Sequence, residues 1–216
     1  MRKITRDKLA LFLSEFATDK KVLDIGAGST EYAQWFPNRV TLDIDAKRSP
    51  DVIGDITALP FEDNSFEVLI CSEVFEHVKD LQKAVNEMHR VLSPNGLLIF
   101  STRFVYPFHD APNDYWRFTK SGLEFLFAGW KIEKCIPETN TFETLAVLLQ
   151  RIIFQTTVHG GRLTKGILLF GVLIFKSFGW LVKSEYGDIR RTTPVDSFMT
   201  SGWYLAARVN KPHLNA

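Results

Sequence analysis

Asp24-Ile25-Gly26-Ala27-Gly28-Ser29-Thr30 follows a short apolar run and sets two glycines two positions apart. A residue without Cβ lets backbone amides come close to a ligand, which is how glycine turns serve nucleotide sites. A dinucleotide pyrophosphate would want a third glycine at position 31; the residue there is Glu31, whose charge repels phosphate. A nucleoside without phosphates fits the turn better. Two more acidic positions follow at what read as successive strand ends. In Asp43-Ile44-Asp45 a carboxylate can accept both hydroxyls of a ribose, or either acid can cap the next helix. In Gly54-Asp55-Ile56 a carboxylate can accept from an exocyclic amine while Ile56 offers a purine an apolar face. Each feature is common alone. Together, in this order, they point to a nucleoside laid across the carboxyl ends of strands.

A second cluster is His109-Asp110-Ala111-Pro112-Asn113-Asp114-Tyr115-Trp116-Arg117-Phe118-Thr119, within an aperiodic stretch rich in aromatics. His109, titrating near neutrality, is the first choice to take a hydroxyl proton. Asp110 or Asp114 would orient it, and Tyr115, Trp116 and Phe118 would wall an acceptor pocket. Of equal weight is an alternative in which Asp114 pairs with Arg117 to pin the loop and Thr119 caps the following helix. Cys71 is no nucleophile, since it closes an apolar strand with no His/Asp pair beside it. Cys71 and Cys135 form no CxxC pair, and Glu73, Glu76 and His77 come nearest to a ligand set, so no metal site is predicted.

These residues need a scaffold of short buried strands. Val22–Ile25, Val40–Asp45, Val52–Gly54, Val68–Cys71 and Leu97–Ser101 are apolar runs of the kind found in parallel strands covered on both faces. Residues 5–17 read as a helix capped by Thr5. Leu81, Ala84, Val85, Met88, Val91 and Leu92 mark an amphipathic helix closed by Ser93-Pro94-Asn95-Gly96. A helix over Lys120–Phe127, a strand over Trp130–Cys135 and a closing strand over Trp203–Val209 complete the pattern. Strands alternating with helices predict a doubly wound α/β sheet.

VLDIGAGST, TLDID, GDITALPFEDNSFEVLICSEVFEHV and RVLSPNGLLIFST together resemble the class I S-adenosylmethionine-dependent methyltransferases, in particular the methyltransferase type 11 group that includes ubiquinone-biosynthesis enzymes. The resemblance covers roughly residues 20–135, and Thr30 stands where the third glycine of that loop is usual. It implies a Rossmann-like, mostly parallel seven-stranded sheet with an antiparallel last strand. Residues 1–216 would be one domain, with 142–200 an α-helical insertion before that strand. S-adenosylmethionine would be the cofactor. By position, Gly26 and Gly28 would approach its methionine moiety and Asp24 would orient the ammonium group through water or backbone. Asp43 would hold the ribose, with Ile44 against the adenine and Asp55 and Ile56 at its amine edge. Cys71, Ser72 and Glu73 would floor the site near the methyl group. His77 would tie its turn to the sheet. His109, Asp110, Asp114 and Tyr115 are then the catalytic candidates, in a methyl transfer to oxygen of a small or lipid-linked acceptor.

Composition limits the partners. Lys and Arg total 26 against 25 Asp and Glu, so no basic field invites nucleic acid. The charge is uneven, with 17 basic and 21 acidic residues in 1–141 but 9 and 4 in 142–216. The two cysteines and a charged N-terminus without a signal-peptide core predict a cytoplasmic setting, at the inner face of a membrane if 163–184 contacts lipid. That stretch, LTKGILLFGVLIFKSFGWLVKS, is apolar, and on one continuous helix Lys165, Lys176 and Lys183 would fall within about 20° of each other. It fits a peripheral membrane or lipid-substrate contact and burial, intramolecular or in a homodimer, equally well, and a true bilayer span less well. Two other functions compete: a non-catalytic binding module of the same fold, and a nicotinamide-dependent oxidoreductase, which Glu31 disfavours.

Overall fold

The computed structural model describes residues 2–27 and 32–211. Seven strands pair in one sheet: β1 (Val22–Ile25), β2 (Arg39–Asp43), β3 (Val52–Ile53), β4 (Phe66–Ser72), β5 (Leu92–Arg103), β6 (Trp130–Pro137) and β9 (Gly202–Val209). Their order is β3-β2-β1-β4-β5-β9-β6, and β9 runs antiparallel to both β5 and β6. β7 (Glu185–Tyr186) and β8 (Pro194–Val195) form a separate ribbon. The Rossmann-like α/β sheet with an antiparallel insertion near one edge is the predicted class.

Alternation along the strands sends side chains to two cores. On one face α1 (Ile4–Ser14) lays Leu9, Phe12 and Leu13 over Val22, Val68, Ile70 and Ile99, and Phe12 stacks on Tyr204 at 4.7 Å. On the other, α2 (Leu81–Val91) and α3 (Lys120–Leu126) cover Leu69, Leu98 and Leu205, with Phe75, Phe100 and Phe127 interlocked beneath them. Asp80 caps α2 by accepting from the Lys83 N–H, and Thr119 caps α3 by accepting from that of Gly122, as anticipated.

The connections differ from the expected alternation. Among the described residues, β1–β2 and β2–β3 are bridged only by single 3-10 turns, Ala33–Trp35 and Ala46–Arg48. α1, which precedes the first strand, supplies the cover on that face. Thr5 is not a cap: the helix begins one residue earlier, Lys3 occupies the cap position, and Thr5 is buried inside the first turn.

Between β6 and β9 the chain makes α4 (Thr141–Gln155) and α5 (Gly161–Ser177), packed against one another, then the β7–β8 ribbon. Asn140 and Glu143 start α4 with a reciprocal capping box. Gly160 and Gly161, both with positive φ, lie where α5 begins and separate it from α4. α5 ends at Ser177, so Lys183 lies beyond it and the three-lysine stripe is reduced to Lys165 and Lys176. Among the described residues no helix is long and apolar enough to cross a membrane.

Candidate active site at the strand ends

The carboxyl ends of β1 to β5 open into one cavity of about 990 Å³. That is the upper range for small-molecule sites, roughly 300–1,000 Å³. Its first wall is built from the ends of β1, β2 and β3. Gly26 turns the chain with φ +74° and donates its N–H to the Leu42 carbonyl at 2.8 Å. A Cβ there would lie 2.3 Å from Cγ2 of Val74, so the close approach requires glycine. Gly28 lies outside the described residues.

Asp43 is buried at the end of β2, accepts from the Asp45 N–H at 2.9 Å and faces Arg48 at 3.6 Å. Asp45 caps the next turn through the Lys47 N–H and also lines the cavity. Ile44 is 71 % exposed, an apolar side chain held at the cavity with nothing over it. Asp55 accepts from both the N–H and the hydroxyl of Thr57, and Ile56 is buried behind the wall it shares.

Three anticipated residues do not reach the cavity. Asp24 is fully buried, gripped by Arg39 Nη1 at 2.8 Å; burial raises its carboxyl to about 7 even against that guanidinium. Cys71 points into the core under Phe75 and Phe100, and burial pushes its thiol up, so it forms no part of the floor. Asp114 takes both prongs of Arg117, at 2.6 and 2.8 Å, and the His109 N–H at 2.8 Å. The loop-pinning alternative describes Asp114; its side chain is wholly covered.

The second wall joins the ends of β4 and β5 to the aromatic loop. Ser72 and Glu73 line it, with Glu73 in the left-handed region at φ +56°. Glu73 pairs with Arg103, which is 2 % exposed and also bonds Glu138 at 2.8 Å while lying over the Tyr106 ring. His109 lines the cavity beside His77, their rings 4.9 Å apart, and burial lowers its pKa, which favours the neutral ring. Asp110 sits at the rim, its side chain 74 % exposed. Tyr115 lines the wall and donates its hydroxyl to Asn113.

Glu76 was read only as a weak ligand candidate. It is fully buried, its Oε2 accepts from Thr102, and its backbone carbonyl accepts from the N–H groups of Tyr115 and Trp116. Burial raises its carboxyl well above the usual range. Arg103, Tyr106 and Arg151 were missed altogether, as was the contribution of Lys3 and Arg6 from the start of α1. A guanidinium closing an otherwise apolar strand, as in Ser101-Thr102-Arg103, was the available signal.

Residues 23–100 match the family described as a methyltransferase domain. A malonyl-[acyl-carrier protein] O-methyltransferase of Coxiella burnetii is 34 % identical over 117 residues, 41 % of this chain and 42 % of that protein. A demethylmenaquinone methyltransferase of Renibacterium salmoninarum is 36 % identical over 113 residues, 44 % of this chain and 48 % of that protein. The chain thus spans less than half the length of either curated relative. Among solved structures, geranyl diphosphate C-methyltransferase of Streptomyces coelicolor, with S-adenosyl-L-homocysteine bound, superposes with TM-score 0.57 at 13 % identity. That likeness covers 95 % of this chain and 79 % of the other, and it is one of fold.

Proposed function

We propose, for a chain whose residues 23–100 carry a methyltransferase domain of the class I, S-adenosylmethionine-dependent type, that it methylates an oxygen of a small or lipid-linked acceptor. The observation that supports this most is a single wall: Gly26, Asp43 and Asp55 close three successive strands and all face one cavity. The cradle suits the cofactor. Gly26 leaves room where a Cβ would collide, Asp43 presents a buried carboxylate to ribose hydroxyls, and Ile44 offers an open apolar surface to adenine. Gly28 and Asp55 with Ile56 would complete the nucleoside end, and Ser72 and Glu73 the methyl end.

S-adenosylmethionine, when bound, supplies a methyl group on positively charged sulfur. The chain's own residues align the acceptor and keep water out. His109, favoured in its neutral form, takes the proton of an acceptor hydroxyl on Nε2, with Asp114 and the Pro107 carbonyl behind Nδ1. Tyr115 and Tyr106 wall the acceptor, and Asp110 stands at the mouth.

The outward face of α5 supports a lipid-linked acceptor. Leu163, Ile167, Phe170 and Leu173 are each 60 % exposed or more, and Trp180 is 80 % exposed just beyond. From Thr144 to Ser184 there is no acidic residue, while Arg151, Arg162, Lys165, Lys176 and Lys183 supply positive charge. An apolar face flanked by cations complements an anionic bilayer surface. α4 connects this face to the site, since Arg151 lines the cavity and α5 packs along the same helix.

Calorimetric titration with S-adenosylmethionine and S-adenosylhomocysteine tests the cofactor reading. Saturable binding should weaken about 10–100-fold in Asp43→Ala, the worth of charge-assisted hydrogen bonds. A folded, nucleoside-free protein that binds neither compound would overturn it.

A further inference from the structure

Glu76, His77 and His109 each bring one donor atom within 4.8 Å of the others; the two histidines line the cavity and Glu76 is buried behind them. The two imidazoles are fixed in the same sense. Nδ1 of His77 meets the Asn113 carbonyl oxygen. Nδ1 of His109 lies 3.3 Å from Oδ2 of Asp114 and 3.3 Å from the Pro107 carbonyl. A proton on each Nδ1 satisfies these oxygens and leaves the lone pair on Nε2. Metal-binding histidines carry this outer arrangement, an oxygen acceptor behind the ring that sets the tautomer.

The third member is independent of the rings. Oε1 of Glu76 has no hydrogen-bond partner although the residue is fully buried, and it lies 3.9 Å from Nε2 of His109. Nearby guanidiniums are engaged elsewhere: Arg103 by Glu73 and Glu138, Arg117 by Asp114. Among the described residues the only cationic partners within 4.0 Å of the Glu76 and Asp110 carboxylates are these histidines. A buried carboxylate oxygen without a donor, facing two oriented nitrogen lone pairs, is short of a cation.

We propose that Glu76, His77 and His109 bind a divalent transition-metal ion of the zinc class, with Asp110 as a fourth donor from the rim. Oδ2 of Asp110 is 4.0 Å from Nε2 of His77. Two imidazoles and carboxylate oxygen suit zinc, cobalt or iron, whereas magnesium and calcium favour oxygen alone. Bonds of about 2.1 Å put tetrahedral donors roughly 3.4 Å apart, so His109 and Glu76 need close by only a fraction of an ångström. The site stands on these residues alone; its consequence rests on the function proposed above. An ion held by His77 and His109, which line the cavity, would polarise an acceptor's oxygen. The hydroxyl proton would then leave to a water at the cavity mouth with both electrons kept on oxygen, and His109 would be a ligand rather than the proton acceptor.

The test titrates chelator-stripped full-length protein with Zn²⁺ by calorimetry and with Co²⁺ by visible absorption, alongside S-adenosylhomocysteine. One saturable Zn²⁺ equivalent and a tetrahedral Co²⁺ band are expected, with a rise in Tm on Zn²⁺ addition. His109→Ala and Glu76→Gln should each weaken Zn²⁺ binding about 100-fold or more, and Asp114→Asn about 10–100-fold. His77→Ala, at a partly exposed ring, serves if the buried variants fail to fold. Wild-type protein that binds S-adenosylhomocysteine but no metal overturns the ion site alone. So does Zn²⁺ binding unchanged in the variants. Zn²⁺ binding without S-adenosylhomocysteine binding overturns the cofactor reading and leaves the ion site standing.

Discussion

Arg39 reaches under the glycine turn to hold Asp24 at 2.8 Å, and one oxygen of that buried carboxylate has no hydrogen-bond partner. Asp24, the third residue of β1, is thus held behind the cavity wall rather than in it. Burial raises its pKa from 3.8 to about 7 despite Arg39. Between those values the folded protein keeps a proton that the unfolded chain has released. Stability from this group is greatest at acid pH and falls as pH rises toward 7. Urea midpoints measured from about pH 5 to 8 should show this decline, and Asp24→Asn should flatten it. Arg39→Met should carry the decline to higher pH. Parallel profiles in wild type and Asp24→Asn would refute the assignment.

Gly26→Ala should cost about 1–3 kcal/mol, because an L side chain is strained at φ +74° and its Cβ overlaps Val74. Pairing it with Val74→Ala should restore only the steric part and leave the backbone cost. Equilibrium denaturation of the two variants measures both. An alanine variant as stable as wild type would mean that the turn tolerates other conformations and is not a rigid cradle.

Vesicles containing anionic lipid should bind the protein through α5. Leu163→Ser with Phe170→Ser should abolish co-sedimentation, and Lys165→Glu with Lys176→Glu should lower it roughly 30-fold or more at about 1 kcal/mol per lysine. Trp180 emission should shift to the blue on binding and the shift should be missing in Trp180→Phe. Equal sedimentation of wild type and variants would remove the lipid surface. Light scattering that shows a dimer broken by the same substitutions would give the face to a second copy instead.

What sequence could disclose depended on distance along the chain. Gly26, Asp43 and Asp55 were legible because each lies at or just past the end of its own strand, and a parallel sheet carries such positions to one edge. The Arg103 network was not, since its partners Glu73 and Glu138 come from either side of β5 and meet only when the sheet forms. Local capping was divided in the same way. Thr119 satisfies an amide three residues on, whereas Thr5 is claimed by packing and the helix starts before it. The apolar stretch 163–184 was legible as helix, but not that α5 stops at Ser177, short of Lys183. Sequence leaves Asp110 and Asp114 both open as partners of His109; Asp114 is the one that accepts its N–H, while Arg117 grips the same carboxylate.

The order of synthesis is at odds with the order of the sheet. Among the described residues β6 pairs with β9 and with no other strand, and β9 also completes the open edge of β5. Until residue 209 has left the ribosome, β5 keeps a bare edge and β6 has no place to dock. The apolar α5 is made during that interval and must wait for a scaffold whose last piece comes after it. A half-made chain of this order exposes an unpaired strand edge and an apolar helix together, and the pairing of β9 with β5 and β6 is the step that covers that edge.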